Sequence, residues 1–211
     1  VVSPMAGIFA SANIGKATFA EAKIPAIGFT TGAGFTEPGD ILNVRANYAQ
    51  EVAAATDAAL RAGVKPSEIC AFAQNDSYGM SGLQGVVTAL EKAPETSELV
   101  ATYRQILNVE GDNPQRNNLG PVGVYQRGTS AARDAYLSLK EWEKRSGTTC
   151  RFVATVGLAN STAQFIGYSR LKGDHWIFSV PSPALGTGFT EALSGFKVTD
   201  HILGTQVVPP D

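Results

Sequence analysis

Polar side chains able to meet a ligand recur in this chain at one kind of place, directly after a short apolar run. The run ending in Cys70-Ala-Phe-Ala73 is followed by Gln74, Asn75, Asp76, Ser77 and Tyr78, and Ile24-Pro-Ala-Ile-Gly28 by Phe29-Thr-Thr-Gly-Ala-Gly34. Cys150 to Val156 leads into Gly157-Leu-Ala-Asn-Ser161, and Trp176 to Val180 into Pro181-Ser-Pro-Ala-Leu-Gly-Thr-Gly188. Hydroxyls, amides and small residues whose backbone N–H groups can be approached closely suit the noncovalent holding of a small polar solute. The glycine spacing is not that of a dinucleotide site, because Gly32 and Gly34 are followed by Phe35, Thr36 and Glu37 with no third glycine in place.

Chemistry that makes or breaks bonds has less support. His175 and His201 are the only histidines, and each flanks a predicted strand with no Ser or Cys nucleophile signature beside it. A surface or strand-end role is the plainer reading of both. Acidic residues are scattered along helix faces and no metal-ligand spacing is present. We therefore expect a protein that is not an enzyme and needs no cofactor or metal. Cys70 and Cys150, the only cysteines, are too few for a disulfide scaffold. Each opens a predicted strand, so the sulfurs meet if those strands are neighbours and otherwise remain free buried thiols.

The elements that must position these residues follow from periodicity. With 211 residues, 44% hydrophobic and 17% charged, the chain can bury a sizeable core and does not have a disordered composition. A net charge of −2 leaves no footprint for nucleic acid, and no basic run points to a membrane surface. No apolar stretch is long enough to span a bilayer, and the first residues lack the charged n-region of a signal peptide.

The opening reads as the tail of a strand, then a helix through about Ala22 with Ser11 as cap, then strands at Ile24 to Gly28 and Ile41 to Arg45. Asn47 with Gln50 forms a capping pattern for a helix that stops at Gly63. Ile69 to Ala73 suits a strand covered on both faces. Ser77 or Ser81 is placed to cap the helix after it, and Gly79, Gly82 and Gly85 let that helix lie close to the sheet. The polar span from Glu91 to Leu119 contains one short strand candidate, Tyr103 to Val109. Pro121 to Gln126 is a further strand, and a helix starting at Gly128-Thr-Ser130 ends at Gly147. Asn160 or Ser161 caps the helix after Val156, and Ile202 to Val208 is the last strand. From Ile69 onward strand and helix alternate, which predicts an α/β fold with a parallel, doubly wound sheet.

Several motifs in this order resemble the type I periplasmic solute-binding proteins of the branched-chain amino acid class. They are Ile24-Pro-Ala-Ile with Thr31-Gly-Ala33; Leu42-Asn-Val-Arg-Ala46 with Tyr48 and Glu51; Gln74-Asn-Asp-Ser-Tyr-Gly79; Val124-Tyr-Gln-Arg-Gly-Thr129; Ala163-Gln-Phe-Ile166; and Thr205-Gln-Val-Val-Pro209. The resemblance implies two lobes joined by crossing strands. Residues 1–66 would be a partial lobe I, 67–205 lobe II and 206–211 the crossover back. Lobe I would be incomplete, since the family's first and last segments have no counterpart, and a second chain or further polypeptide would cover its apolar surface.

The same resemblance implies an extracytoplasmic, periplasmic or extracellular, solute-binding protein that delivers a small carboxylate-bearing solute to the membrane permease of an ABC transporter. A ligand-sensing domain of a signalling receptor is the alternative. A small-molecule enzyme is the rival from another class. In lobe I the ligand carboxylate would meet Ser11, Thr30, Thr31, Gly32 and Ala33, where uncharged donors hold an anion without a buried cation. Thr30 and Thr31 could equally cap a turn. In lobe II the contacts would be Asp76, Tyr78, Ala159, Asn160 and Ser182, although Asp76 also suits helix capping and Tyr78 also suits packing beneath its helix. Ala159 stands where relatives tend to carry an aromatic residue, and Pro183 where an acid often follows the serine. An ammonium group would lose a cation–π face and a counter-charge there, so a carboxylate, an amide or an aromatic acid fits the lining better than a simple amino acid.

Overall fold

The computed structural model describes residues 21–23, 45–198 and 200–206, and the backbone alone of 26–29 and 41–43. Two short strands, β1 (Ala26–Phe29) and β2 (Ile41–Asn43), pair in parallel with Ala26 opposite Ile41. Beyond them lies a five-stranded parallel sheet in the order β4-β3-β5-β6-β7, built from β3 (Ile69–Gln74), β4 (Val122–Tyr125), β5 (Phe152–Val156), β6 (Ile177–Val180) and β7 (Ile202–Gly204). The chain leaves β3 toward β4 on one side and then returns to β5 on the other. The sheet therefore changes winding direction between β3 and β5.

Every residue of β3 is buried, because helices cover both faces. Side chains alternate across a strand, so Ile69, Ala71 and Ala73 face one core and Cys70 and Phe72 the other. The first core is closed by α1 (Tyr48–Arg61), α2 (Ser77–Leu90) and α3 (Ser97–Leu107) through Val52, Ala55, Val86, Leu90, Tyr103 and Ile106. The second is closed by α4 (Arg133–Ser146), α5 (Ala159–Leu171) and α6 (Thr187–Ser194), and is largely aromatic. Phe72 stacks between Tyr125 and Phe165, with centroids at 5.0 and 4.1 Å.

Several expectations hold. Asn47 and Gln50 form a reciprocal capping box at α1, with bonds of 2.8 and 2.9 Å. Gly63 and Gly147 follow helix ends with positive φ, and Gly173 after α5 does the same. The glycines of α2 permit close packing, but not all against the sheet. A methyl on Gly82 would meet Val156 of β5, whereas one on Gly85 would overlap the Ala49 carbonyl of α1. Cys70 and Cys150 are joined by a disulfide with Cα atoms 5.8 Å apart, at the buried start of the β3–β5 pair.

Other expectations are corrected. Tyr103 to Val109 is not a strand. Residues 103–107 belong to α3, because Val100, Tyr103 and Ile106 recur at helical spacing and are all buried. The loop after α3 is fixed by the buried Arg116, which donates from Nε to Ile106 O (3.0 Å) and from Nη1 to Asn75 Oδ1 (2.9 Å). Asp76, not Ser77 or Ser81, caps α2, and α5 begins at Ala159 with Leu158 as a cap lacking any side-chain bond. Ser161 instead donates to the Thr129 carbonyl at 3.2 Å, tying the start of α5 to the loop beyond β4. The fourth helix starts at Arg133, later than Gly128-Thr-Ser130 suggested.

Two stability predictions follow from this packing. Gly85→Leu forces α1 and α2 apart and should cost about 2 kcal/mol or more, read by denaturant unfolding; unchanged stability would contradict the contact. Replacing Cys70 and Cys150 together by Ala should lower stability by about 2–5 kcal/mol, and an unchanged melting temperature would mean that the bridge does not constrain the chain.

Candidate functional site

Polar groups gather at the carboxyl ends of the central strands, next to the change of winding direction. Gln74, the last residue of β3, is buried and accepts the Tyr125 hydroxyl at 3.0 Å, while its Nε2 donates to Asp76 Oδ2 at 2.6 Å. The other oxygen of Asp76 accepts the backbone N–H groups of Tyr78 and Gly79 at 3.0 and 3.2 Å, in the manner of an N-cap. Tyr125 in turn accepts the Leu158 N–H at 3.0 Å, so one chain of hydrogen bonds fixes the tips of β4, β3 and β5 relative to each other. Tyr78 completes the tie by donating its hydroxyl to the Gly157 carbonyl at 3.2 Å. Burial above all, then the neighbouring Tyr48, Tyr125, Glu51 and Asp76, pushes the Tyr78 phenol well above its ordinary value, and it stays a donor at neutral pH.

A second network adjoins the first. Tyr48 and Tyr78 meet edge to face with centroids 4.9 Å apart, and the Arg45 guanidinium lies 5.7 Å over the Tyr48 ring. Glu51, one turn further along α1, has a side chain only 3% exposed, and its carboxylate collects four donors. Arg45 Nη2 and the Ser182 hydroxyl reach Oε1 at 2.7 and 2.8 Å, while the Ser182 N–H and the Thr205 hydroxyl reach Oε2 at 2.9 and 3.1 Å. The same Arg45 nitrogen also donates to the Ser182 hydroxyl at 2.8 Å. A carboxylate buried to this degree persists only where its lone pairs are filled and its charge is balanced, and both conditions hold here.

Of the side chains expected to touch a ligand, Asp76, Tyr78 and Ser182 sit on this rim, each already committed to an internal bond. Ala159 is half-buried at the start of α5, and Asn160 is exposed beside a separate surface pocket of about 410 Å³ with Arg133, Gln164 and Tyr168. Ser11, Thr30, Thr31, Gly32 and Ala33 lie outside the described residues. A larger groove of about 880 Å³ is lined by Glu91, Thr96, Val100 and Arg104. It belongs to the far end of α2, a helix of 14 residues and so about 20 Å long, and is remote from the strand tips. Arg45 and Glu51 were given no role from sequence, although both fall inside the Leu42 to Glu51 motif. Leu158 was also passed over, and it stands 50% exposed at the tip of β5.

Neither a family model nor a curated relative matches the chain. Solved structures do. The chain superposes on a protein of Rhodopirellula baltica SH 1 described as "a possible leucine/isoleucine/valine-binding protein", with a TM-score of 0.73 and 28% identity over 96% of this chain and 49% of that one. A substrate-binding periplasmic protein of Ralstonia solanacearum gives a TM-score of 0.61 at 20% identity, over 92% of this chain and 46% of that one. A branched-chain amino acid ABC transporter protein of Thermus thermophilus, solved with bound valine, gives 0.63 at 15% identity, over 90% and 43%. At those identities the last two speak to fold alone, and the chain spans about half the length of all three. These neighbours match the family that the sequence motifs resemble, and the chain has the fold of the type I periplasmic binding proteins.

Proposed function

We propose that this chain is a noncatalytic solute-binding module that holds a small carboxylate-bearing molecule against the tips of β3, β5 and β6. The observation that carries the reading is the bonded rim of Gln74, Asp76, Tyr78, Tyr125 and Leu158 at the point where the sheet reverses its winding. In open parallel sheets a crevice forms at such a point, beyond the carboxyl ends of the strands. The likeness to the Rhodopirellula protein over 96% of the chain supports the same reading. On it, Thr30, Thr31, Gly32 and Ala33, with Ser11, take the carboxylate.

The whole protein would deliver its solute to an ABC-transporter permease from the periplasm or cell exterior, and the disulfide fits an oxidising compartment. Service as the sensor of a signalling receptor is the second reading. On either reading residues 1–66 are the partial lobe I, 67–205 lobe II and 206–211 the crossover back. Val52, Ala55 and Ala59 of α1 share the core of the five-stranded sheet, so this helix packs directly against it. Glu51 ties the chain just before α1, through Arg45, to the chain just beyond β7, through Thr205. A solute touching both lobes would favour a closed form by its differential affinity, with that carboxylate as the fixed point.

A thermal-shift screen of amino acids, carboxylates and amides, followed by calorimetry on the hits, tests the reading. Tyr78→Ala should lower affinity about tenfold or more and Thr31→Val should weaken binding without unfolding the protein; hits indifferent to both would contradict it. Glu51→Ala should cost about 3–5 kcal/mol of stability by removing the buried acceptor on which Arg45, Ser182 and Thr205 converge, and chemical denaturation showing a negligible change would remove the carboxylate from its central place.

A further inference from the structure

We infer that the pocket between α4 and α6 is a second ligand site, separate from the strand tips, and that it takes a mononucleotide, a phosphate monoester carrying a flat nitrogen-bearing ring. Its volume of about 410 Å³ falls within the range of small-molecule pockets, roughly 300–1,000 Å³. None of the rim residues Gln74, Asp76, Tyr78, Tyr125 and Leu158 lines it. The two sites are therefore independent.

The wall of this pocket carries one full charge, and it is positive. Arg133 stands exposed at the first position of α4, and among the described residues it makes no ion pair or hydrogen bond. No acidic side chain lines the pocket. The larger groove beside α3 differs in this respect, because its Arg104 is already paired with Glu91. A free guanidinium is the side chain best matched to the oxygens of a phosphate.

Asn160 and Gln164, one turn apart on α5, are both exposed in the same pocket and keep their amides unbonded. Each offers a donor and an acceptor together, the combination that the polar edge of a nucleobase requires. Tyr168, one turn further along α5, and Phe196, just beyond α6, supply rings for the base to lie against. Both rings are held in place. Phe196 lies on Gly167, where an added methyl group would come within 2.3 Å of the ring. Tyr168 meets Tyr136 edge to face at 5.0 Å and carries the Lys172 ammonium 5.4 Å from its ring centre. Rings already fixed by their neighbours lose little freedom when a base stacks on them. A simple carboxylate would engage the guanidinium and leave the amides and rings idle.

Calorimetry on the full chain with AMP, GMP, CMP and UMP, and with the corresponding nucleosides and inorganic phosphate, tests the inference. At least one nucleotide should bind about tenfold or more tightly than its nucleoside and than phosphate alone. Arg133→Gln should weaken that binding about tenfold, and Gln164→Ala several-fold. Both side chains are exposed, so neither variant should move the melting temperature of the ligand-free protein. Binding by none of the four nucleotides overturns the inference, as does a nucleoside that binds as tightly as its nucleotide, or full affinity in either variant. A solute held at the strand tips should bind Arg133→Gln unchanged, so the two sites stand or fall separately.

Discussion

A parallel strand covered on both faces has no room for polar side chains except at its ends, and β3 imposes that constraint on the whole molecule. All six of its residues are buried, and its neighbours β4 and β5 are nearly as enclosed. Polar chemistry is therefore expelled to the tips. At the carboxyl tips the helix that follows each strand brings unsatisfied N–H groups, and the change of winding between β3 and β5 parts two of those helices onto opposite faces. Gln74, Asp76, Tyr78, Tyr125 and Leu158 fill that opening with a bonded frame. The bonds of Tyr125 to Gln74, Leu158 to Tyr125 and Tyr78 to Gly157 tie the frame across three strands, and Asp76 joins Gln74 to the start of α2. The opposite ends of the same strands are closed by the disulfide between Cys70 and Cys150.

Glu51 adds a different kind of constraint. It is not on the sheet, yet it joins α1 to the loop after β6 and to the residue just beyond β7. A buried ion pair of this sort is a poor source of net stability, since desolvating the charges offsets much of their attraction. Its physical value lies in geometry: four donors converging on one carboxylate leave it a single satisfactory position. That fixes Ser182 and Thr205 relative to α1, and it withdraws from the rim the one acid that lies beside Ser182.

The sheet was legible because its signals are local. Buried runs such as Ile69 to Ala73 and Cys150 to Val156, each followed by small and polar residues, mark strand and tip without knowledge of partners. The Asn47 and Gln50 box and the terminal glycines were equally plain. What escaped depends on distance in sequence. Ser182 could be placed on a tip, but its attachment to Glu51, 131 residues away, has no local trace. Asn160 and Ser161 have the chemistry of caps, yet the backbone entering α5 is already anchored through Leu158 and Tyr125. Tyr103 to Val109 read as a strand because its aromatic and branched residues outweighed a helical spacing that begins before it, at Val100. Leu158 was overlooked since an apolar residue in a loop invites no functional thought until its exposure is known.

The central claim is that a small solute is held at the tips of β3, β5 and β6 and not in either of the surface pockets away from them. Hydrogen–deuterium exchange with and without saturating 3-phenylpropanoate or L-leucine, whichever binds, tests it most directly. The account expects added protection in peptides covering 74–79 and 157–161, with the groove around 91–109 unaltered. Protection confined to that groove, or to the pocket between α4 and α6, would contradict it.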